Sequence, residues 1–363
     1  MNIIGTHNTE YSTIVAGTGP AGVMAAMHAA KRGRVLMADS SALPRDKSCG
    51  GMLNEYAQHF LGEFARMPQE LVLGPEYVNF RYWDWDRNIK KPTSLRFLNV
   101  DRKSFDEWML SLLPENVEVI GATSIAGFDQ GAQGVSVRLK KGSTTEEIRC
   151  SNLIGADGAR STVRRSLGAG TAANYVTLQD FVKLEGEIEP FFDCIYMRGI
   201  GDCYAYAYIV PKGDVAIVGS VYYPRTQRPH EKHEQQLGVL RAAVPQLGET
   251  VKREACVALC VRDTGDVVRG TGRVLLTGEA GGFMSPTSGE GISYAMNSGM
   301  LAGKAVASAS NGEALEAYVA STDHIARNIK RKLRFLPFME SPTGKYLAGF
   351  VPTSIVSKVT EGL

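Results

Sequence analysis

The sequence of 363 residues has few cysteines, histidines and tryptophans, with six, six and three respectively. The six cysteines stand at irregular spacings, and Cys256 and Cys260 match neither a CxxC redox pair nor a common zinc spacing. The histidines form no metal pattern, and we interpret the charged stretch around His230 and His233 as a solvated loop. We therefore expect reduced cysteines and no metal site.

An excess of charge of one sign is also absent, because 40 Lys and Arg face 38 Asp and Glu, giving a net charge of +2. This balance argues against a general nucleic-acid-binding surface, which needs a concentrated positive charge. No apolar run approaches the roughly 20 residues of a bilayer span. Residues 1–10 have neither the basic nor the apolar region of a signal peptide. These absences predict a cytoplasmic protein.

Glycine is abundant, with 39 residues, and three of them form a GxGxxG pattern. A short β-branched run precedes the pattern, an Ala-rich helical stretch follows it, and an acidic residue ends the next strand. In such a turn the first glycine permits the tight bend, the second lets the backbone approach a pyrophosphate, and the third allows close packing. The acidic residue can accept hydrogen bonds from ribose hydroxyls. We expect a dinucleotide, FAD or NAD, at Gly17, Gly19, Pro20, Ala21, Gly22 and Asp39.

Two later segments resemble motifs of flavoproteins with the p-hydroxybenzoate hydroxylase fold. Residues 152–164 (NLIGADGARSTVR) are similar to the GADGxxSxVR motif of that family. Residues 275–292 resemble its second flavin motif, with Glu279 where the family usually has Asp. In that family the acidic residue holds the ribityl chain and a helix N-terminus faces the O2 region of the isoalloxazine. Together the three motifs predict FAD as the cofactor.

Within that fold the chain resembles the geranylgeranyl reductase family, most closely its CbrA-type bacterial members, over roughly residues 11–335. The resemblance rests on residues 49–53, 99–109, 206–214 and 285–296. Tyr208 and Val210 stand where the family's substrate-domain motif, YxWxFPK, has Trp and Phe. Together with the flavin motifs, the resemblance implies FAD contacts at Cys49, Gly50, Arg102, Asp157, Gly278, Glu279, Gly289, Gly291 and Ile292.

These patterns predict an α/β fold, in which a Rossmann-type FAD-binding domain carries an inserted antiparallel-sheet substrate domain. We assign residues 1–70, 98–170 and 270–312 to the FAD-binding domain. Residues 71–97 and 171–269 form the substrate domain, because they hold several short strands separated by Gly, Pro and charged turns. Residues 313–363 form a C-terminal helical tail, which we expect to become irregular after Pro337.

The resemblance implies an FAD-dependent oxidoreductase that reduces a carbon–carbon double bond of an apolar, isoprenoid-like substrate. Cys49, Tyr206 and Tyr208 are the candidate proton donors or orienting residues. One alternative is a single-component FAD monooxygenase acting on an aromatic or apolar substrate, and another is a flavoprotein that modifies or binds a partner protein. No second nucleotide fingerprint exists in the sequence, so NAD(P)H would bind transiently or a protein would donate the electrons.

The tail contains an amphipathic basic pattern with two interpretations. It would lie on a membrane surface as a peripheral contact, or it would pack against the flavin domain as an ordinary surface helix. We favour the packed helix, because many surface helices have this pattern. The apolar positions are Ile325, Ile329, Leu333 and Leu336, and the basic ones are Arg327, Lys330, Arg331 and Arg334.

Overall fold

The computed structural model describes residues 10–170, 172–197, 204–309 and 312–348, with the single residues 3, 350 and 352. In these residues the chain forms two eight-stranded sheets and eight α-helices. The strands are β1 (Tyr11–Ala16), β2 (Val35–Ala38), β3 (Met52–Leu53), β4 (Val72–Asp84), β5 (Ile89–Val100), β6 (Val117–Ile120), β7 (Ser124–Gly131), β8 (Gly134–Lys141), β9 (Thr144–Gly155), β10 (Ala173–Leu184), β11 (Phe191–Tyr196), β12 (Tyr204–Lys212), β13 (Val215–Tyr222), β14 (Leu247–Cys260), β15 (Gly270–Thr271) and β16 (Val274–Leu276). The helices are α1 (Pro20–Ala29), α2 (Glu55–Gly62), α3 (Arg102–Ser111), α4 (Thr162–Ser166), α5 (Pro229–Ala243), α6 (Ile292–Ser308), α7 (Ala314–Glu340) and α8 (Pro342–Ala348).

The first sheet has the strand order β15-β16-β9-β1-β2-β6, and β7 and β8 extend it from β9. Strands β16, β9, β1, β2 and β6 run parallel to one another. β1 and β2 are short apolar runs that are buried on both faces, as expected of parallel strands covered by helices. Helix α1 connects these two strands, so the predicted strand–turn–helix–strand unit is confirmed. The observed mixed α/β architecture with C-terminal helices also agrees with the predicted fold class.

The second sheet has the order β14-β10-β13-β12-β11-β4-β5-β3. Its neighbours pair antiparallel as predicted, except that β4 and β11 run parallel. Antiparallel partners can be joined by short turns, whereas parallel strands need a long connection. Here that connection is residues 85–190, which contain four strands of the first sheet. The two sheets are therefore interleaved along the chain.

His233 does not lie in a solvated loop, so that interpretation was wrong. It lies in α5 and is fully buried, with its Nε2 3.1 Å from Asp180 Oδ1 and its Nδ1 2.5 Å from Ser220 Oγ. The trio has the composition of a hydrolytic triad, but all three side chains are fully buried, and the Ser220 hydroxyl donates to Gln236 Oε1. We interpret it as a structural network that joins α5 to β10 and β13.

The C-terminal tail is helical as predicted, but the expected irregularity after Pro337 was wrong as far as Ala348. Helix α7 continues through Pro337 to Glu340, and α8 follows. A proline removes one helical hydrogen bond, and here the helix tolerates the loss because Leu336 is buried in the fold. Residues 353–363 lie outside the described part of the chain. Among the described helices, none is long and apolar enough to span a bilayer.

Candidate functional site

A single cavity of about 1770 Å³ brings together nearly all of the residues that the sequence singled out. Drug-sized ligands occupy pockets of about 300–1,000 Å³, so this cavity has room for a dinucleotide and a second ligand. Gly22 alone among the predicted site residues does not line it. The lining includes Gly17, Gly19, Pro20, Ala21, Asp39, Cys49, Gly50, Arg102, Asp157, Tyr206, Tyr208, Gly278, Glu279, Gly289, Gly291 and Ile292.

The GxGxxG turn closes one end of the cavity. Gly17 has a φ of +97°, and a Cβ there would lie 2.4 Å from the carbonyl oxygen of Ala156. A Cβ on Gly22 would lie 2.0 Å from the carbonyl oxygen of Gly17, so this glycine serves the turn itself. Gly19 is different, because its Cβ would meet only Arg45 Nη2, at 2.9 Å. The space beside Gly19 is therefore cavity, at the N-terminus of α1, where free N–H groups attract phosphate.

Asp39 is held by hydrogen bonds beside this turn. Its Oδ2 accepts from the Thr18 amide at 2.9 Å and hydroxyl at 2.8 Å, and its Oδ1 accepts from the Ser41 amide at 2.9 Å. Burial by itself would raise the pKa of Asp39, but the hydrogen bonds from Ser41 and Thr18 outweigh it and lower the pKa. The carboxylate is therefore ionised at neutral pH and keeps acceptor capacity toward the cavity, as a ribose partner requires.

Arg45 lies between Asp39 and Asp106 and was not singled out from the sequence. Its Nη2 donates to Asp106 Oδ2 at 2.9 Å, and its Nε lies 3.7 Å from Asp39 Oδ2. That buried Nε has no hydrogen-bond partner among the described residues. Arg45 lines the cavity with its Nη2 beside Gly19, and a guanidinium group that still has an unused donor is a ready partner for a diphosphate. The one sequence signal for it is its position in the loop that follows Asp39.

We expect Asp39→Asn to weaken FAD binding by about tenfold or more, because a hydrogen bond to a charged group contributes about 1.5–3 kcal/mol. Asp46→Asn is the matched control in the same loop, since the Asp46 side chain is 59% exposed. Equilibrium titration of the apoproteins with FAD measures the FAD affinity of both variants. An Asp39→Asn variant with the affinity of the control would contradict the ribose assignment.

Asp157 and Glu279, the other two acidic residues predicted to contact FAD, form hydrogen bonds within the protein. Asp157 Oδ2 accepts from the amides of Thr162 and Val163 at 2.7 and 3.2 Å, so its carboxylate caps α4. Glu279 Oε1 accepts from the Leu259 amide at 3.0 Å, and its Oε2 lies 3.9 Å from Lys47 Nζ. The longer Glu side chain thus reaches β14 of the second sheet while it lines the cavity.

The loop that carries Cys49 is held from both sides. Arg102, whose side chain is 10% exposed, lies beside Cys49 and donates from Nε to Asp106 Oδ1 at 2.8 Å. Burial alone would lower the pKa of Arg102, but the charge of Asp106 outweighs burial and raises it. On the other side, Lys212 Nζ donates to the carbonyl oxygens of Gly51 at 3.0 Å and Val100 at 3.1 Å. Lys212 does not line the cavity, so it positions the loop rather than contacting a ligand.

Removing this lysine is expected to change how stability depends on pH. Burial lowers the pKa of Lys212 from its usual 10.5 to about 7. The folded chain therefore releases a proton between about pH 7 and 10.5 that the unfolded chain keeps, so the contribution of Lys212 to the free energy of unfolding rises with pH. We expect the free energy of unfolding of the wild type, minus that of Lys212→Met, to increase over this window in urea titrations. Lys183→Met is the control, because Lys183 is exposed. If the wild-type value minus the Lys212→Met value decreased with pH, the burial of a neutral Lys212 would be contradicted.

The loop before α6 forms another part of the cavity wall. Gly291 is the N-cap of α6, and Gly291 and Ile292 line the cavity, so this helix begins at the cavity wall. Glu290, absent from the sequence-based set, accepts from the Ser293 amide and hydroxyl at 2.8 and 2.6 Å. Burial raises its pKa, and the Ser293 bonds and the charge of Lys332 partly offset the rise. A helix N-terminus beside a glycine-rich loop suits an anionic or electron-rich ring edge.

Tyr206 and Tyr208 lie on the same face of β12, with ring centroids 6.2 Å apart, and both line the cavity. The Tyr206 hydroxyl lies against Gly289, where a Cβ would be 3.5 Å away. The Tyr208 hydroxyl accepts from Gln179 Nε2 at 2.5 Å. Burial raises the pKa of both phenols, so both remain protonated and able to donate at neutral pH. Their catalytic roles stay predictions.

The residues present fit FAD. A glycine cradle and an arginine with an unused donor lie at one end of the cavity, an ionised carboxylate lies beside them, and the N-terminus of α6 belongs to the same lining. Gly19, Asp39 and Arg45 would hold the diphosphate and ribose part. Glu279 and the start of α6 would hold the ribityl chain and the flavin ring.

Comparisons with known proteins agree with this geometry. The FAD binding domain family matches residues 112–334, more than half of the chain. Protein CbrA of Escherichia coli strain K12 is 29% identical over 299 residues, which cover 80% of this chain and 82% of that protein. A geranylgeranyl bacteriochlorophyll reductase-like protein from Thermoplasma acidophilum superposes with a TM-score of 0.77 at 19% identity, covering 98% of this chain and 92% of that one. A triple mutant of the flavin-dependent brominase Bmp2 gives a TM-score of 0.74 at 18% identity, with 97% and 94% covered. At identities of 19% and 18%, these two similarities show that both proteins have the fold of this chain, and nothing further.

Proposed function

This chain belongs to the FAD binding domain family and is an FAD-dependent oxidoreductase, and from that premise we propose that it reduces a carbon–carbon double bond of an apolar, isoprenoid-like substrate. The observation that carries the proposal is the aromatic wall of the cavity. Phe192 of β11 lies 5.6, 6.1 and 5.9 Å, between ring centroids, from Phe80, Phe97 and Tyr208. The wall continues through Tyr206, beside the Cys49 and Gly289 loops. An apolar ligand on this wall would lie next to the flavin.

Bound FAD, once reduced, supplies a hydride, and the protein must supply a proton and keep water away. Tyr206 is the first candidate for the proton, because its phenol stays protonated and its hydroxyl lies against the loop that leads to α6. Gln179 fixes the hydroxyl of Tyr208, which then orients the substrate through its ring and hydroxyl. Cys49 is the second donor candidate, and its sulfur accepts a hydrogen bond from the Gly51 amide at 3.5 Å.

The source of the electrons belongs to the same proposal. The GxGxxG turn is the one dinucleotide fingerprint in the sequence, and FAD takes it. We propose that NAD(P)H reduces the flavin in a transient complex, or that a protein electron donor does so. Anaerobic mixing with NADPH and with NADH, followed at the absorbance of oxidised flavin, distinguishes a nicotinamide donor from a protein one.

The reaction itself is tested with the anaerobically reduced holoprotein. We mix it with isoprenoid alkenes in one series and with dissolved O₂ and aromatic or apolar compounds in another. The proposal expects rapid alkene-dependent re-oxidation and a product heavier by two hydrogen atoms in mass spectrometry. Oxygen from O₂ in an organic product would overturn it in favour of a monooxygenase. If neither the alkenes nor O₂ re-oxidised the flavin, and re-oxidation required an added partner protein, the proposal would be overturned in favour of action on a protein.

A Tyr206→Phe variant is expected to lower turnover by about 10²-fold, the lower end of the range for a general acid, with FAD affinity changed by less than about twofold. The reason is that only the hydroxyl is removed, while the ring stays in the aromatic wall. Tyr77→Phe is the matched control, since Tyr77 lies in the same sheet but does not line the cavity. Full turnover in Tyr206→Phe would show that this tyrosine only packs the sheet.

A further inference from the structure

Large apolar side chains are exposed together at one place in the molecule. Six are exposed in the described residues, and only Val251 lies elsewhere. Single exposed apolar residues are ordinary, but a contiguous group of them marks an interaction site. The other five lie at the end of α7, in α8 and just beyond it, with exposed fractions of 52% for Phe335, 51% for Phe338, 42% for Tyr346, 38% for Leu347 and 61% for Phe350. We name these five the apolar patch.

The apolar patch lies at the mouth of the cavity. Phe335 and Phe338 line the cavity and are about half exposed, so they stand where it meets solvent. Met339 and Gly344 line it beside them. Helix α8 is held against the second sheet, because the Arg87 guanidinium of the turn between β4 and β5 lies 4.0 Å from the ring centroid of Tyr346. A ligand entering at this point would pass from the patch to the aromatic wall.

Exposed cations continue the same face of α7 toward its N-terminus. Residues 327, 331, 334 and 338 are spaced by four, three and four, so they form one stripe along the helix. The opposite side of α7 is buried in the fold through Ile325, Ile329 and Leu336. Asp323 pairs with Arg327 at 3.0 Å, but the other cations lie nearer the patch. The exposed cations are Arg327, Lys330, Arg331 and Arg334.

We propose that the apolar patch and these cations form a docking surface for an anionic lipid layer, through which an apolar substrate enters the cavity from the lipid. This inference rests on the proposed function for the nature of the substrate. Aromatic side chains that insert into the headgroup region beside Lys and Arg are the arrangement with which peripheral proteins bind anionic lipids. The helix stays packed in the fold while its outer face binds, so docking leaves the cavity intact. The packed helix favoured from the sequence and a membrane contact are thus compatible.

The test uses the holoprotein and sedimentation with vesicles of phosphatidylcholine alone or mixed with phosphatidylglycerol. We expect binding to the mixed vesicles at low salt, release at high salt because the attraction is screened, and little binding to phosphatidylcholine alone. Phe335→Asp/Phe338→Asp and Lys330→Glu/Arg334→Glu are each expected to reduce the partition coefficient by about tenfold or more. Val251→Asp should bind like the wild type, because it introduces an acidic residue at an exposed apolar site away from the patch.

The proposal is overturned if the wild type does not bind the mixed vesicles at low salt, or if the Phe335/Phe338 double variant binds as the control does. It is also overturned if these variants convert a dimer into a monomer in analytical ultracentrifugation without any vesicle binding, because the patch is then a protein interface. FAD content is measured for every variant to verify folding. Vesicle binding needs no turnover, so the two proposals can fail separately. Vesicle binding without alkene reduction would reject the proposed reaction and support the docking surface. Alkene reduction without vesicle binding would reject the docking surface and support the reaction.

Discussion

A Gly19→Val variant is expected to purify as folded protein that contains almost no FAD. Gly19 has a φ of −73°, which any residue can adopt, and a Cβ would meet no backbone atom, only the end of the Arg45 side chain at 2.9 Å. The chain itself therefore tolerates a larger residue here. The added methyl groups would instead occupy the space at the start of α1, where the diphosphate must approach the backbone.

Two other glycine variants make this result interpretable. Gly22→Val is expected to fold poorly, because its Cβ would collide with the Gly17 carbonyl group in the backbone. Gly62→Val, at the end of α2, meets nothing within 4 Å and should keep both fold and FAD. Circular dichroism and the ratio of flavin to protein absorbance separate the three outcomes. A Gly19→Val protein with full FAD content would show that the diphosphate lies elsewhere.

An Asp180→Ala variant is expected to lose about 3–5 kcal/mol of the free energy of unfolding, as measured when a buried charge loses its partner. Asp180 is fully buried and accepts from His233, from Thr250 at 2.8 Å and from Arg253 at 2.6 and 2.7 Å. Its removal leaves those donors without their acceptor beneath α5. Asp129→Ala is the control, because the Asp129 side chain is 78% exposed and its ion pair with Arg138 contributes little.

The same carboxylate gives this prediction a pH dependence. Burial alone would raise the pKa of Asp180, but the hydrogen bonds from Arg253, His233 and Thr250 outweigh it, so the pKa falls below its usual value. The stabilisation is therefore complete above about pH 4, the ordinary pKa of Asp, and is lost as the pH falls further. In urea unfolding experiments the difference between wild type and Asp180→Ala should shrink below that pH. A difference of less than about 1 kcal/mol at pH 7 would contradict the structural role of this network.

The parts of the fold that the sequence predicted best are those set by local chemistry. The GxGxxG turn needs glycine for reasons that act within a few residues, and Tyr206 and Tyr208 share a face because strands alternate. The burial of His233 could not be predicted, since its partners Asp180 and Ser220 are distant in sequence and a charged stretch resembles a solvated one. The parallel pairing of β4 with β11 could not be predicted for the same reason, because residues 85–190 lie between the two strands.

Of the site residues missed from the sequence, Lys212 and Glu290 are positioning residues, and Arg45 is a candidate partner of the diphosphate. Lys212 acts on the Gly51 carbonyl from another strand, and Glu290 acts at the start of α6, so each gains its role only when distant elements meet. Arg45 follows Asp39 in an irregular loop, where no periodic pattern indicates which way a side chain points. Residue type and spacing identified the ligand-facing glycines and acids, whereas the charged groups that hold the loops required the folded chain.

The central claim is that this cavity holds FAD through both its adenosine diphosphate part and its flavin ring. The most direct measurement is titration of the apoprotein with FAD, FMN and riboflavin, followed by flavin fluorescence. We predict one FAD bound per chain and much weaker binding of FMN and riboflavin, because these lack the part that Gly19, Asp39 and Arg45 would hold. FMN binding as tight as FAD, or a protein that binds no FAD, would contradict the account.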